Sequence, residues 1–342
     1  MRRTLWFSML VLTLAWLALD RVQRVWEAPL AVPAEGYELL IERGTTLGAV
    51  LKDLHEADIV AYPRLVALYG RYTGLDQRMR RGEYRLLPGL DAAGLLDLLS
   101  SGRVISYQVT LPEGLTLAQA LEVLQETPRL ESTLSGQTDL RVMELIAPRL
   151  APEGLFFPDS YRFERGDTDL DILRRAHSRM QAVLQQEWMS RAPDLPFDTP
   201  YEALVLASIV ERETGVASER GEIAGVFARR LRKGMRLQTD PTVIYGLGAE
   251  FDGNLKRKHL RDASNPFNTY RHHGLPPTPI ALPGQAAINA ALNPLAGDTL
   301  FFVARGDGSH VFSETLEEHE RAVRKYQLNR RKDYRSSPGS KQ

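Results

Sequence analysis

The sequence predicts an α+β chain with an N-terminal transmembrane helix, a small α+β subdomain and a larger mixed α/β domain. An uncharged run opens the chain, strand-like and helix-like segments alternate around glycine turns after residue 36, and chemically useful side chains crowd between Tyr201 and Tyr270. A length of 342 residues allows about two domains at roughly 150 residues each. With 43% hydrophobic and 25% charged residues, wholesale disorder, a collagen-like chain and a polytopic membrane protein are excluded. Lys and Arg total 43 against 43 Asp and Glu, so no global field draws the chain to nucleic acid. The absence of cysteine excludes disulfides, thiolate metal sites and cysteine nucleophiles, and suits export into an oxidising space.

Arg2 and Arg3 precede an uncharged run from Thr4 to Leu19, closed by Asp20 and Arg21. At about sixteen residues the run lies between a signal-peptide core and a spanning helix. No small-x-small cleavage site follows Leu19, while Arg21 and Arg24 can snorkel outward and Val22, Val25 and Trp26 extend the apolar face. Trp6 and Trp26 stand near the two ends, where indole rings prefer a membrane interface. Residues 1–27 therefore read as a cytoplasmic tip and an uncleaved anchor, amino terminus inside, with a buried helix of a soluble protein as the competing reading.

After a spacer at 28–36, Tyr37 to Ile41 reads as a strand, and the Gly44 turn leads into a helix with Leu47, Val50, Leu51 and Leu54 on one face. A second helix follows Pro63, a short strand lies in GEYRLLPG, and AAGLLDLLSSG reads as a third helix. The segment LLIERGTTLGAVL echoes about seventy residues later as VTLPEGLTLAQAL; each reads strand, glycine turn, Thr-Leu, helix. A repeated carbohydrate-binding module and a generic strand-to-helix turn used twice explain this echo equally well.

The stretch 120–200 reads as helical and charged, interrupted by APEGLFFPDSYRF at 151–163. There Glu153, Asp159 and Tyr161 are expected to project polar groups from a loop anchored by Leu155, Phe156 and Phe157, either lining a site or plugging the fold.

YEALVLASIVERETG reads as a helix capped by Gly215, which puts Glu211 and Glu213 in its last turn. The negative end of the helix dipole disfavours an ionised carboxylate there, and burial adds to this, so a carboxyl in that position suits a general acid. Residues two apart on a helix diverge, so the two glutamates cannot act as a pair. Glu211 continues the small, apolar stripe of Leu204, Ala207 and Ser208, whereas the stripe of Glu213 begins with the charged Glu202; Glu211 is the better buried candidate. Two solvated glutamates at a frayed helix end are the bland alternative. Downstream, Thr239 or Asp240 is expected to cap a helix begun by Pro241, with Gln238, Thr242 and Tyr245 around its start. The loop that follows carries Asn265, Asn268, Thr269 and Tyr270, the amides, hydroxyls and aromatic faces that suit a sugar. His259, His272, His273, His310 and His319 show no metal-ligand spacing. GDG at 306–308 reads as a hairpin turn rather than a nucleotide site, Thr315 with Glu318 caps a last helix, and 331–342 reads as a disordered tail.

The segments LASIVERETG, ASERGEIAGVFARRLRKGMRLQTDPTVIYGLG, NTYRHHGLPPTPIALPG and FFVARGDGSHVFSETLEEH together resemble the endolytic peptidoglycan transglycosylases, the MltG or YceG-like proteins. The similarity runs upstream through EGLFFPDSYRF to the Gly44 and Gly82 segments, in the family's order. It implies an inner-membrane anchor, a LysM-like subdomain at 28–106 and a catalytic transglycosylase domain at 107–330 in the periplasm. The catalytic glutamate of the family's SIVE stretch falls on Glu211.

The reaction implied uses one carboxyl group where ordinary glycosidases use two. Protonated Glu211 donates to the oxygen linking N-acetylmuramic acid to N-acetylglucosamine, then takes the proton of the muramyl 6-hydroxyl as it closes on the anomeric carbon, leaving a 1,6-anhydro end. The muramyl acetamide can stabilise the developing cation, and no cofactor or metal is needed. Gln238, Asn268, Tyr270 and His310 are the candidates for holding the glycan, each with a cap or core hydrogen bond as the competing reading. The partners implied are peptidoglycan strands, the inner membrane and, at family level, a peptidoglycan synthase, with termination of glycan elongation as the role; nucleic acid is not among them. The other class kept open is a non-catalytic glycan-binding or cell-wall scaffold protein.

Overall fold

The computed structural model describes residues 2–146 and 151–328. The expected tail at 331–342 lies outside the described residues. The described residues form two compact units, one within 1–107 together with 162–167, the other within 108–161 together with 168–328.

The first unit opens with α1 (Arg2–Glu27), a single helix of 26 residues. Among the described residues no helix is long and apolar enough to cross a membrane. The expected anchor is thus a helix whose uncharged run stops at Leu19, its last two turns carrying Asp20, Arg21, Arg24 and Glu27, with Arg24 paired to Asp20. Its end packs on protein: the Trp26 ring lies 4.3 Å from that of Tyr69. Strand β1 (Tyr37–Ile41) is followed by α2 (Leu47–Glu56) and α3 (Pro63–Thr73), then β2 (Gly82–Leu86) and α4 (Ala92–Ser101). The strands pair antiparallel, Tyr37 opposite Leu86 and Ile41 opposite Gly82. Thr46 and Asp91 accept the Ala49 and Gly94 amides as N-caps, and Gly74 and Gly102 close α3 and α4 in left-handed conformation, where a side chain would be strained. Leu47, Val50, Leu51 and Leu54 of α2 and Leu95, Leu96 and Leu99 of α4 fill the core, as the helical spacing dictates. At Gly70 a Cβ would stand 2.5 Å from Leu47 Cδ2, so α3 approaches α2 at a point that only glycine allows. Segment 162–167 joins this unit through Arg165, 3.0 Å from the buried Glu83, and through Arg81, 3.5 Å from Asp167.

The second unit contains, in order, α5 (Leu117–Gln125), α6 (Leu140–Leu145), α7 (Asp169–Met189), α8 (Pro200–Glu213), α9 (Arg220–Arg232), α10 (Asp240–Leu247), α11 (Arg257–Arg261), α12 (Gln285–Leu292), the hairpin β5 (Phe301–Ala304) and β6 (His310–Ser313), and α13 (Leu316–Val323). Two strands at the unit boundary, β3 (Ser106–Thr110) and β4 (Ser160–Glu164), pair with each other. The glycine turn of the hairpin and the Thr315–Glu318 capping box form as their sequences predict. Helix α8 is the hub, packed by α12, α9, α7 and α10. Every residue from Ala203 to Val210 is buried, so a helix expected to show a preferred face is enclosed all round. The two copies of the sequence echo share local geometry: Gly44 and Gly114 have φ of +88° and +80°, and Thr46 and Thr116 cap the helices that follow.

Two local expectations change. Helix α8 does not end on a left-handed Gly215; its C-cap is the extended Thr214, whose hydroxyl accepts the Val216 amide at 2.9 Å. In 151–163, Glu153 and Tyr161 do not project outward. Glu153 is 4% exposed and takes hydrogen bonds from the Leu117 amide at 2.9 Å and the Tyr245 hydroxyl at 3.1 Å, while the Tyr161 hydroxyl donates to the Phe157 carbonyl. Once Leu155, Phe156 and Phe157 are packed inside, their polar neighbours are carried in with them and must find internal partners.

Candidate active site

Glu211 lies in the last turn of α8, its side chain only 6% exposed. Its Oε2 accepts the Gly284 amide at 3.0 Å, and its Oε1 is 3.6 Å from a guanidinium nitrogen of Arg220 at the start of α9. Burial pushes the carboxyl above its ordinary range; the Gly284 amide opposes this, the charge of Glu113 adds to it, and Arg220 opposes it.

Glu113 is the residue that sequence reasoning passed over. Its Oε2 lies 3.9 Å from the same Arg220 nitrogen, so two carboxylates share one guanidinium. This juxtaposition sets a second carboxylate beside the first and links residues 98 positions apart in numbering, Glu113 and Glu211, through a third. Two backbone bonds hold the Glu113 turn to the Leu282 segment, the Gly114 amide donating to Leu282 O at 2.9 Å and the Leu282 amide to Leu115 O at 2.7 Å, and the Arg212 side chain of α8 donates to Gly114 O at 2.9 Å. A Cβ on Gly284 would lie 1.8 Å from Glu113 Oε1, so the glycine makes room for the carboxylate. The only hint in the sequence is that Glu113 belongs to the second copy of the echo, beside the left-handed Gly114.

Glu213 points elsewhere, as residues two apart on a helix should. Its carboxyl accepts the Thr239 hydroxyl, and burial pushes it up to about 7. Proton affinity thus does not single out Glu211, and neither does the stripe argument in a helix buried on every side. Position does: Glu211 meets an amide, an arginine and a half-exposed second carboxylate, whereas Glu213 is locked into a threonine network. In that network Thr269 Oγ1 accepts the Thr239 amide at 3.0 Å and lies 2.9 Å from Thr242 Oγ1.

Of the four expected glycan contacts, Gln238 has an exposed side chain on a backbone held at φ +51°, between the buried Leu237 and Thr239. A non-glycine residue in that region carries strain that the surroundings must impose. The Tyr270 hydroxyl donates to Asp240 at 2.6 Å, and burial followed by the Asp240 charge raises its proton affinity. His310 is 7% exposed and braced by Glu219, with 2.8 Å from Nδ1 and 2.9 Å from its amide to the two carboxylate oxygens. Asn268 is fully buried; its Nδ2 donates to the His259 and Asp262 carbonyls and its Oδ1 accepts the Tyr270 amide. Its amide is spent on shaping the loop, and it offers nothing to a ligand.

The YceG-like family model matches residues 39–325. The endolytic murein transglycosylase of Bacillus subtilis is 31% identical over 304 residues, covering 84% of this chain and 83% of that protein. The protein of the same name from Streptococcus pneumoniae serotype 2 is 25% identical over 317 residues, which cover 83% of this chain but 57% of the longer pneumococcal protein. A crystal structure of a yceG-like protein from Listeria monocytogenes aligns with a TM-score of 0.53 and 25% identity, covering 84% of this chain and 99% of that one. A match across 39–325, which takes in both the Gly44 turn and the Glu211 site, establishes that the chain belongs to the YceG-like family.

Proposed function

We propose that this protein is a membrane-anchored endolytic murein transglycosylase that cuts the bond between N-acetylmuramic acid and N-acetylglucosamine within glycan strands and leaves 1,6-anhydro ends. The observation that carries the reading is the Glu211 carboxyl, buried at the negative end of α8 and held above its ordinary range while one edge meets the Gly284 amide and the other Arg220. Such a group holds its proton more tightly than an ordinary glutamate and can give it to a leaving oxygen. The glycosidic bond breaks with its electron pair on that oxygen, which takes the Glu211 proton. The muramyl 6-hydroxyl then bonds to the anomeric carbon and returns its proton to Glu211, so the catalyst is restored and no water is consumed. Gln238, Tyr270 and His310 would line the glycan path. The name shared by the relatives from B. subtilis and S. pneumoniae supports this reading.

The same reading places α1 in the inner membrane, the body in the periplasm and a LysM-like role on the first unit, whose strand, two helices, strand order suits a small glycan-binding module. A peptidoglycan synthase is the partner, and termination of glycan elongation the role. A second reading rests on Glu113: two carboxylates at one site are the apparatus of a hydrolase. Digestion of purified murein sacculi with mass analysis of the fragments separates the possibilities. Anhydro-ended fragments support the transglycosylase, reducing ends alone the hydrolase, and intact sacculi a non-catalytic scaffold.

A further inference from the structure

The ion pairing around Glu211 is unusual in its slackness. Arg220 lies 3.6 Å from Glu211 and 3.9 Å from Glu113, beyond ordinary hydrogen-bond length to either. Its Nε is buried without a hydrogen-bond partner, and its side chain is 14% exposed. A guanidinium that could form a close two-point contact with one carboxylate instead stands between two. The carboxylates differ in setting, Glu113 being 47% exposed and Glu211 6%.

We propose that Arg220 and Glu113 are positioning residues acting as one unit with Glu211: Glu113 holds the guanidinium back from protonated Glu211, and Arg220 closes on Glu211 as it surrenders its proton to the leaving oxygen. This deepens the proposed function and rests on Glu211 being the acid. The logic is differential stabilisation. A cation fully paired with Glu211 in the resting state would strip the proton needed for the first step, and one absent altogether would leave a buried carboxylate uncompensated after that step. Sharing lets one arginine serve both moments. Gly284 supports the arrangement twice, through its amide on Glu211 and through the missing Cβ that leaves room for Glu113.

The other charged groups nearby are engaged elsewhere. Arg212 donates to the Gly114 carbonyl, Glu219 is taken by His310, and Glu213 is turned to Thr239. The 282–284 loop brings no charge. Glu113 and Arg220 are therefore the groups whose removal should move the proton equilibrium of Glu211, in opposite directions.

The test is kcat/KM of the full-length protein on purified sacculi across about pH 5 to 9, where the basic limb reports loss of the Glu211 proton. Glu113→Gln removes the negative neighbour and frees Arg220 to close early, so the limb moves down by roughly one pH unit. Arg220→Gln moves it up by a similar amount and lowers plateau kcat about tenfold or more. Arg220→Lys, which keeps the charge, restores the limb while kcat recovers only in part. Thermal melting of each variant separates misfolding from the effect sought, and a merely structural role would lower activity without moving the limb. Limbs that stay in place, or that move the same way in Glu113→Gln and Arg220→Gln, overturn the proposal. Glu211→Gln run alongside keeps the two readings distinct: normal turnover by that variant removes Glu211 as the acid, whereas an inactive Glu211→Gln with unmoved limbs removes only the unit.

Discussion

Thr239 occupies the N-cap position of α10 but gives its hydroxyl to Glu213, leaving the helix without a side-chain cap. A capping bond ordinarily contributes about 1 kcal/mol, so this site spends a standard helix-starting residue on holding a carboxyl. The exchange joins the end of α8 to the start of α10, next to Gln238 and its left-handed backbone.

Thr239→Val, which keeps the shape and removes the hydroxyl, should cost about 1–3 kcal/mol of stability at pH 8, where Glu213 is ionised and loses its donor. The cost should shrink at pH 5, below the value of about 7 to which burial pushes Glu213, because the neutral acid needs the donor less. Urea denaturation at the two pH values checks this; an equal cost at both would mean that Glu213 is not the group served.

Glu211→Gln should abolish strand cleavage while leaving the melting temperature near that of the parent. The amide keeps the shape and can still accept the Gly284 amide, but has no acidic proton to give. Fragment yields from sacculi, measured on proteins of matched thermal stability, provide the comparison.

Glu153 predicts how stability varies with pH. Burial raises it to about 7, so the folded state holds its proton where the unfolded chain has already lost it. Its contribution is fully present below the ordinary carboxylate range and is lost as pH rises toward about 7, a decline on the order of 3 kcal/mol for this one group. Glu153→Gln should be less stable at pH 5, because the amide has one acceptor oxygen for the Leu117 amide and the Tyr245 hydroxyl. It should also show a flatter stability profile between about pH 5 and 7. A profile as steep as that of the parent would assign the slope to other groups.

Gln238→Gly tests whether strain has been kept for function. Glycine adopts φ near +51° freely, so the variant should gain up to about 1 kcal/mol of stability, and by losing the exposed amide it should cut the glycan more slowly. Melting temperature and cleavage rate moving in opposite directions is the expected pair of results; a loss of stability would show that the backbone is not strained.

Cell fractionation with N-terminal sequencing tests the anchor. The protein should remain with the membrane and begin upstream of Thr4. A soluble form beginning near Ala28 would show that the segment is removed.

The sequence by itself determined the local pieces. In the first unit the spacing of Leu47, Val50, Leu51 and Leu54 and the prolines and glycines at the element ends specify each helix and strand through contacts a few residues apart, and these formed where the pattern placed them. The divergence of Glu211 from Glu213 was equally local, since it follows from the helical repeat alone. Tertiary structure decided the rest. That α8 is buried on every face, that Asn268 is consumed by carbonyls of its own loop, and that Glu153 turns inward all depend on what packs against each segment. Above all, the meeting of Glu113 with Glu211, Arg220 and Gly284 rests on pairings across about a hundred residues or more, such as Gly114 with Leu282. Periodicity and capping carry no information at that range, because they report only forces between neighbours along the chain, whereas the electrostatics of a buried carboxyl are set by whatever the fold brings within a few ångströms of it.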